Sequence, residues 1–195
     1  MKILGICGSM RDESNTNKLV KVVAESSGCD YELIYLGEHT ILPCTGCSLC
    51  IMNEGQCSIQ DDMQQIYEKM LGVDAMIIGA PTYFFDISGG VKSFIDRMMA
   101  IFFRGIGPNY HTNMPWHGKR PHFGKPAVII TTAAGEGHDR ALESLKFAMD
   151  DCTNMKIVAS MAEAVEMNDV DDMPEVMGRA EQAGKVLGKA LRGEE

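Results

Sequence analysis

Lys2-Ile3-Leu4-Gly5-Ile6-Cys7-Gly8-Ser9-Met10-Arg11-Asp12-Glu13-Ser14-Asn15-Thr16 opens the chain after Met1. The first six of these residues form a short apolar run that stops at a glycine, the pattern of a strand buried on both faces of a parallel sheet. A hydroxyl-rich loop follows, and residues 16–27 then carry Leu19, Val20, Val22, Val23 and Ala24 in a helical stripe. A strand that passes through one loop straight into a helix is the opening unit of a doubly wound sheet, whose ligands bind at the carboxyl edge. The helix start offers unpaired N–H groups and the positive end of a dipole, which suits a phosphate. Ser9, Ser14 and Thr16 add hydroxyl donors, Asn15 an amide and Arg11 a fixed cation. The loop is neither GxGxxG nor GxxxxGK[ST], so the dinucleotide and triphosphate signatures are absent and a single terminal phosphate fits better. Helix capping by Ser14, Asn15 or Thr16 is the competing use, and the two uses are compatible.

Outward from this unit, strand and helix alternate. Apolar runs at 31–36, 75–80, 126–131 and 156–161 read as four more strands, and residues 61–71, 88–103, 139–151 and 174–192 as helices. Five apolar strands separated by helices give an α/β fold with a doubly wound, five-stranded parallel sheet covered on both faces. No linker or internal repeat divides residues 1–195, so one domain is expected. Two segments fall outside the alternation, 38–58 and 104–124; the first reads as an insertion carrying cysteines, and loops of that length are where chemistry or partners are sought. Hydrophobic residues at 45% and charged residues at 23% exclude an intrinsically disordered chain. No apolar run nears the roughly 18 residues of a membrane span, and the N-terminus lacks the features of a signal peptide, so a cytoplasmic protein is expected. A net charge of −9 argues against nucleic acid as a partner, because duplex binding needs a cationic face.

Two further loops point to the same edge. The third strand runs into Ala80-Pro81-Thr82-Tyr83-Phe84-Phe85-Asp86-Ile87-Ser88-Gly89-Gly90. Here backbone N–H groups and a ring can face a planar heterocycle, while Ser88 caps the next helix. Covering the sheet edge or a subunit contact is the plainer use of these aromatics. The fourth strand ends in Thr131-Thr132-Ala133-Ala134-Gly135-Glu136-Gly137-His138, whose small residues Thr132, Ala133, Ala134 and Gly135 leave room for a ligand. A phosphate cradle, an aromatic wall and a small-residue floor on one edge are what a flavin mononucleotide site requires.

Of seven cysteines, Cys44, Cys47, Cys50 and Cys57 fall in one stretch with the spacing C-x2-C-x2-C-x6-C. Three thiols within seven residues allow one loop to wrap an iron–sulfur cube. Zinc, a redox disulfide such as Cys44–Cys47, and plain buried thiols are the rival readings. Cys7, Cys29 and Cys152 lie outside the motif and read as core residues. His111, His117 and His122 share a loop with Trp116 and Tyr110, at separations that match no metal signature, so a lid or a subunit contact is the better reading. Met98-Met99-Ala100-Ile101-Phe102-Phe103 is apolar on every side and is expected to meet a second subunit.

Gly8-Ser9-x-Arg11-x-x-Ser14-Asn15-Thr16, Ala80-Pro81-Thr82-Tyr83-Phe84 and Lys92-Ser93-Phe94-Ile95-Asp96-Arg97 together resemble the flavodoxin-like NAD(P)H-dependent FMN reductase family over about residues 1–165. The resemblance implies FMN, with Ser9, Arg11, Ser14, Asn15 and Thr16 at its phosphate and Pro81, Thr82, Tyr83 and Phe84 against the isoalloxazine ring. With the cysteine run set before Asp61-Asp62-Met63, the chain resembles the iron-sulfur flavoproteins within that family. By that resemblance Cys44, Cys47, Cys50 and Cys57 ligate one [4Fe-4S] cluster. The implied function is a flavin-dependent oxidoreductase that passes electrons between ferredoxin or NAD(P)H and a small acceptor such as a quinone or an oxygen species, with no side-chain nucleophile or general acid–base pair. A homodimer or homotetramer is expected. The alternatives are a cluster-free NAD(P)H-dependent FMN or quinone reductase and a non-enzymatic, flavodoxin-like electron carrier.

Overall fold

The sheet expected from the apolar runs forms, in the order β2-β1-β3-β5-β6, in a computed structural model that describes residues 1–104 and 124–194. Its strands are β1 (Lys2–Cys7), β2 (Asp30–Tyr35), β3 (Ala75–Tyr83), β5 (Pro126–Ala133) and β6 (Lys156–Ala164), all paired in parallel. A sixth, two-residue strand, β4 (Asp86–Ile87), folds back antiparallel on the end of β3. The helices are α1 (Asn15–Ser26), α2 (Leu49–Met52), α3 (Met63–Leu71), α4 (Gly89–Arg97), α5 (Met99–Phe102), α6 (His138–Lys146) and α7 (Pro174–Arg192).

Each face of the sheet buries a separate apolar layer, which is why the central strands read as unbroken apolar runs. Leu4 and Ile6 of β1, Met76 and Ile78 of β3 and Ile129 of β5 meet α3, α4 and α6 through Ile66, Met70, Phe94 and Leu145. Ile3, Ile77, Val128 and Ile130 point the other way, onto α1 and α7 through Val20, Val23, Ala180 and Leu187. β1 is thus flanked by β2 and β3, and the connection changes direction between β1 and β3. That reversal opens a crevice at the carboxyl ends of those strands.

Three expectations are corrected. The helix over 88–103 is two, broken at Met98, where the backbone N–H of Met98 is shared between the carbonyls of Phe94 and Ile95. Met98, Ala100, Ile101 and Phe103 are buried within this chain, so their apolar character needs no second subunit; Met99 alone of the six is fully exposed, at 43%. Residues expected to end a helix at 151 instead form a π-helical turn, Phe147–Cys152, which leaves Cys152 exposed rather than in the core. His111, His117, His122, Trp116 and Tyr110 lie outside the described residues.

Candidate cofactor cleft and thiol nest

The loop after β1 is built by its own side chains. Ser14 is the cap of α1: its hydroxyl accepts from the N–H of Asn17 at 3.4 Å. Asn17 in turn accepts from the N–H of Ser9 at 3.2 Å, and the Ser9 hydroxyl accepts from the N–H of Arg11 at 3.2 Å. The loop is therefore a closed chain of short polar links, with Ser9 and Ser14 buried and Arg11 exposed. The Arg11 guanidinium makes no hydrogen bond or ion pair among the described residues. The N–H groups of Asn15 and Thr16, in the first turn of α1, have no intrahelical acceptor. Two of the residues assigned to a phosphate are tied elsewhere. Asn15 donates to the carbonyl of Asn168 at 2.8 Å and accepts from the N–H of Val170 at 3.1 Å. Thr16 shares a 2.6 Å hydroxyl–hydroxyl hydrogen bond with Thr132 on β5.

The end of β3 and β4 form a tight hairpin whose two central residues are Phe84 and Phe85. Both are left-handed, at φ +49° and +67°. A two-residue turn with positive φ at both positions matches the twist of paired strands, but it normally calls for Asn or Gly, and on aromatic residues it stores strain. Phe84 is 97% exposed, so burial does not hold it there. The two rings stand edge to face with centroids 6.0 Å apart. Pro81 is buried, and the Thr82 hydroxyl is buried with no hydrogen-bond partner among the described residues. A buried hydroxyl without a partner is uncommon and marks a place where a polar ligand group fits.

The three loops converge. The N–H of Gly8 donates to the carbonyl of Gly79 at 3.0 Å, and the Ser88 hydroxyl donates to the carbonyl of Gly8 at 3.3 Å. Ser88 also caps α4 by accepting from the N–H of Val91. Thr132 lies beside Pro81 in the β3–β5 register, and the N–H of Val165 donates to Ala133. Ala134 and Gly135 are exposed just beyond. A Cβ on Gly137, at φ +94°, would stand 2.8 Å from the Cα of Phe85 and 3.2 Å from Thr82, so the β5 loop rests on the aromatic hairpin. The residues proposed for the phosphate, the ring and the floor thus share one rim, with Ser88 and Asn17 as supports that sequence reading assigns only to capping or leaves unmentioned. The donors present, and the unpartnered Thr82 hydroxyl in particular, suit FMN.

The cysteine segment leaves the 3-10 turn Leu36–Glu38 and runs without regular secondary structure to α2, with left-handed backbone at Gly46 (φ +65°) and Ser48 (φ +59°). Cys44, Cys47, Cys50 and Cys57 line a single cavity of about 30 Å³, together with Ile59, Arg97 and Ala100. The Leu49 N–H and the Ser58 hydroxyl hold the Cys47 thiol below its ordinary pKa, Ser58 at 3.6 Å. Burial, and then the thiols of Cys57, Cys44 and Cys47, push Cys50 up. The donor chemistry fits a thiophilic metal group. Among the described residues, however, no group of three or more His, Cys, Asp or Glu side chains is arranged to hold a metal ion. By contrast, burial and the charge of Glu38 push the Cys7 thiol up to about 12, as expected of an inert core thiol.

What closes the nest is an ion pair that motif reading does not assign. Arg97, at the end of α4, is 1% exposed at its side chain, and its Nη1 donates to Asp61 at 2.6 Å and to the Leu42 carbonyl at 2.8 Å. Nη2 donates to the other oxygen of Asp61 at 2.9 Å and to the Ile59 carbonyl at 3.4 Å. Asp61 also accepts from the N–H groups of Leu42 and Met63. Burial favours the protonated acid, but these donors outweigh it and hold Asp61 below the usual carboxylate range. The only advance signal is the position of Asp61 four residues after Cys57 and of Arg97 in the Lys92–Arg97 motif.

Residues 1–168 match the family described as NADPH-dependent FMN reductase. An iron-sulfur flavoprotein of Methanocaldococcus jannaschii is 42% identical over 101 residues, which are 50% of this chain and 51% of the relative. One from Archaeoglobus fulgidus is 43% identical over 100 residues, 50% of this chain and 48% of the relative. The chain thus spans about half the length of the curated relatives it matches. Among solved structures, a flavone reductase superposes with a TM-score of 0.73 at 20% identity, covering 98% of this chain and 63% of the other. An NAD(P)H:quinone oxidoreductase from Methanothermobacter marburgensis gives 0.71 at 16% identity, over 95% and 98% of the two chains. These two likenesses support the fold, and the family match over residues 1–168 settles the descent: the chain belongs to the NADPH-dependent FMN reductase family.

Proposed function

We propose that this protein is a flavin-dependent oxidoreductase that holds FMN on the rim formed by Ser9, Arg11, Ser14, Asn15, Thr16, Pro81, Thr82, Tyr83, Phe84, Thr132, Ala133, Ala134 and Gly135, and a [4Fe-4S] cluster on Cys44, Cys47, Cys50 and Cys57. It moves electrons between ferredoxin or NAD(P)H and a small acceptor such as a quinone or an oxygen species. The observation that carries the reading is the meeting of the three loops around a buried, unpartnered Thr82 hydroxyl, with four thiols on one cavity at the far end of α4. When bound, the flavin supplies two-electron and one-electron chemistry and the cluster supplies one-electron chemistry.

The chain's part is to bind and orient. Ser9, Ser14 and the first N–H groups of α1 meet the phosphate, and Arg11 supplies the cation that neutralises it. Thr82 would offer its hydroxyl to a polar edge of the ring system, and Pro81, Tyr83 and Phe84 would lie against it. No side-chain nucleophile or general acid is required. Among the described residues no helix is long and apolar enough to cross a membrane, and we place the protein in the cytoplasm as a homodimer or homotetramer.

Anaerobically purified protein is expected to contain FMN, iron and acid-labile sulfide. Cys47→Ser is expected to abolish the broad visible absorption of the cluster while FMN stays bound. Protein that remains colourless after reconstitution with FMN refutes the flavin assignment. Two observations favour a second reading, a cluster-free NAD(P)H-dependent reductase: the shared cavity is only about 30 Å³, and among the described residues no metal-ready group is formed. FMN without iron or sulfide selects that reading. Failure to turn over NAD(P)H or reduced ferredoxin with a dye acceptor selects a flavodoxin-like carrier instead.

A further inference from the structure

Arg97 carries more than a fold needs at that position. It is the largest of the fully buried side chains, and replacing a buried ion pair by apolar residues is often neutral or stabilising. Both terminal nitrogens are spent, on Asp61 and on the carbonyls of Leu42 and Ile59. These acceptors lie on either side of the cysteine run, two residues before Cys44 and two and four residues after Cys57. The guanidinium therefore ties the mouth of the loop shut. Its remaining donor, Nε–H, is buried and has no partner among the described residues, although Arg97 lines the same cavity as all four thiols. Tyr67, buried beside Cys57, donates its hydroxyl hydrogen to the Arg97 carbonyl at 2.8 Å and so fixes the end of α4. The Asp61–Arg97 pair is already neutral. What it leaves open is a donor, on a side chain that lines the same cavity as the four thiols.

We propose that Arg97 is the positioning residue of the thiol nest: it locks the two ends of the cysteine loop together and keeps its Nε–H for a sulfur of the anionic thiolate group held there. This rests on the reading that the four cysteines hold such a group. Hydrogen bonds to cluster sulfurs are among the factors that set reduction potential, and partners of the ligands fix metal affinity by factors of roughly 10–100. Loss of the Nε–H bond disfavours the more negative, reduced form.

The test uses the full chain with FMN bound and two variants. Arg97→Lys keeps the charge and loses the fork and Nε–H. Asp61→Asn/Arg97→Gln removes both charges together, so that neither is left buried alone. FMN content reports the fold. Cobalt(II) is titrated into anaerobically reduced, iron-free protein and followed by its thiolate charge-transfer absorption, and the cluster midpoint is read in a mediated titration. We expect FMN to be retained, cobalt affinity to fall at least tenfold, and the midpoint to fall by a tenfold change in the one-electron equilibrium, about 59 mV. Cobalt affinity within twofold and a midpoint within about 18 mV (twofold in the one-electron equilibrium) of the unsubstituted protein in both variants overturn the proposal, as does loss of FMN from both, since Arg97 would then serve the whole fold. Absence of iron and sulfide from the unsubstituted protein defeats the cluster reading instead, and the cobalt arm still decides the role of Arg97.

Discussion

Gly8→Ala tests whether the crevice is set by close backbone packing. A Cβ at position 8 would stand 2.2 Å from the Gly79 carbonyl oxygen and 2.3 Å from Cγ2 of Val91. Ordinary contact begins near 3.4 Å, so both must retreat by about an ångström. The Gly79 oxygen cannot retreat cheaply, because it lies in the central strand β3 and accepts the Gly8 N–H at 3.0 Å. Overpacking of this kind costs about 1–3 kcal/mol, and loss of the hydrogen bond about 1 kcal/mol more. A total of roughly 2–4 kcal/mol is a large part of the ~5–15 kcal/mol that holds a domain together. The same shift moves Ser9 and the Ser88–Gly8 link, so flavin affinity falls with stability. Gly89→Ala is the matched control. It sits at the same rim, at the start of α4, with nothing within 4 Å of the new Cβ, and is expected to be neutral or to stabilise by up to ~1 kcal/mol. Gly90→Ala falls between, because the group it meets at 2.0 Å is the flexible end of Met10. Urea unfolding and FMN fluorescence titration read both quantities. If Gly8→Ala unfolds within 0.5 kcal/mol of Gly89→Ala and binds FMN as well, the close-packing argument is wrong.

Thr82→Val removes a buried hydroxyl that lacks a partner, so the FMN-free protein is expected to gain about 1 kcal/mol in urea unfolding while FMN affinity drops about tenfold; unchanged affinity would show that Thr82 does not meet the flavin. Asp61, held below the usual range, stabilises the fold above its unfolded pKa of about 3.9, and that contribution disappears as pH falls through the lowered native value. The urea midpoint of the native chain is therefore expected to fall more steeply below pH 4 than that of Asp61→Asn/Arg97→Gln, and parallel curves count against the pair. Asp61→Asn alone strands the buried Arg97 charge and is expected to cost about 3–5 kcal/mol, more than the double variant; additive single-site effects would contradict direct coupling.

The parts of this molecule that are legible from residues are those set by local periodicity. The apolar runs give the central strands, and the step from Cys7 through Ser9 to a helix gives the cradle, because strand burial and capping act over a few neighbours. Features set by tertiary context are not legible in that way. Turn chemistry asks for Asn or Gly where Phe84 and Phe85 take positive φ, so the hairpin is invisible to it. The ties of Asn15 to the 168–170 loop and of Thr16 to β5 join residues more than 100 positions apart, and nothing local announces them. Asp61 and Arg97 lie 36 residues apart, and nothing local pairs them. The apolar stretch after Arg97 suggests a subunit contact because periodicity reports how many faces are covered, not by what.

The same reasoning shows why α4 matters to both sites. Its first turn is held by Ser88, whose hydroxyl accepts from Val91 and donates to Gly8, so the cradle and the helix start move together. Its last residue is Arg97, which holds the thiol nest through Asp61. Nine residues at 1.5 Å each make the helix roughly 13 Å long. Phe94 and Val91 bury its inner face under the sheet between these ends. A rigid rod with a polar clasp at each end fixes the separation of the two sites more firmly than either loop could by itself, since each loop is held mainly by its own short links. On the proposed reading two redox groups sit at these ends, and because electron exchange depends steeply on spacing, one helix that spans the interval would serve that reading. The buried, charged residue at the far clasp is consistent with that demand: an apolar side chain there would pack as well, but it would leave the mouth of the cysteine loop untied.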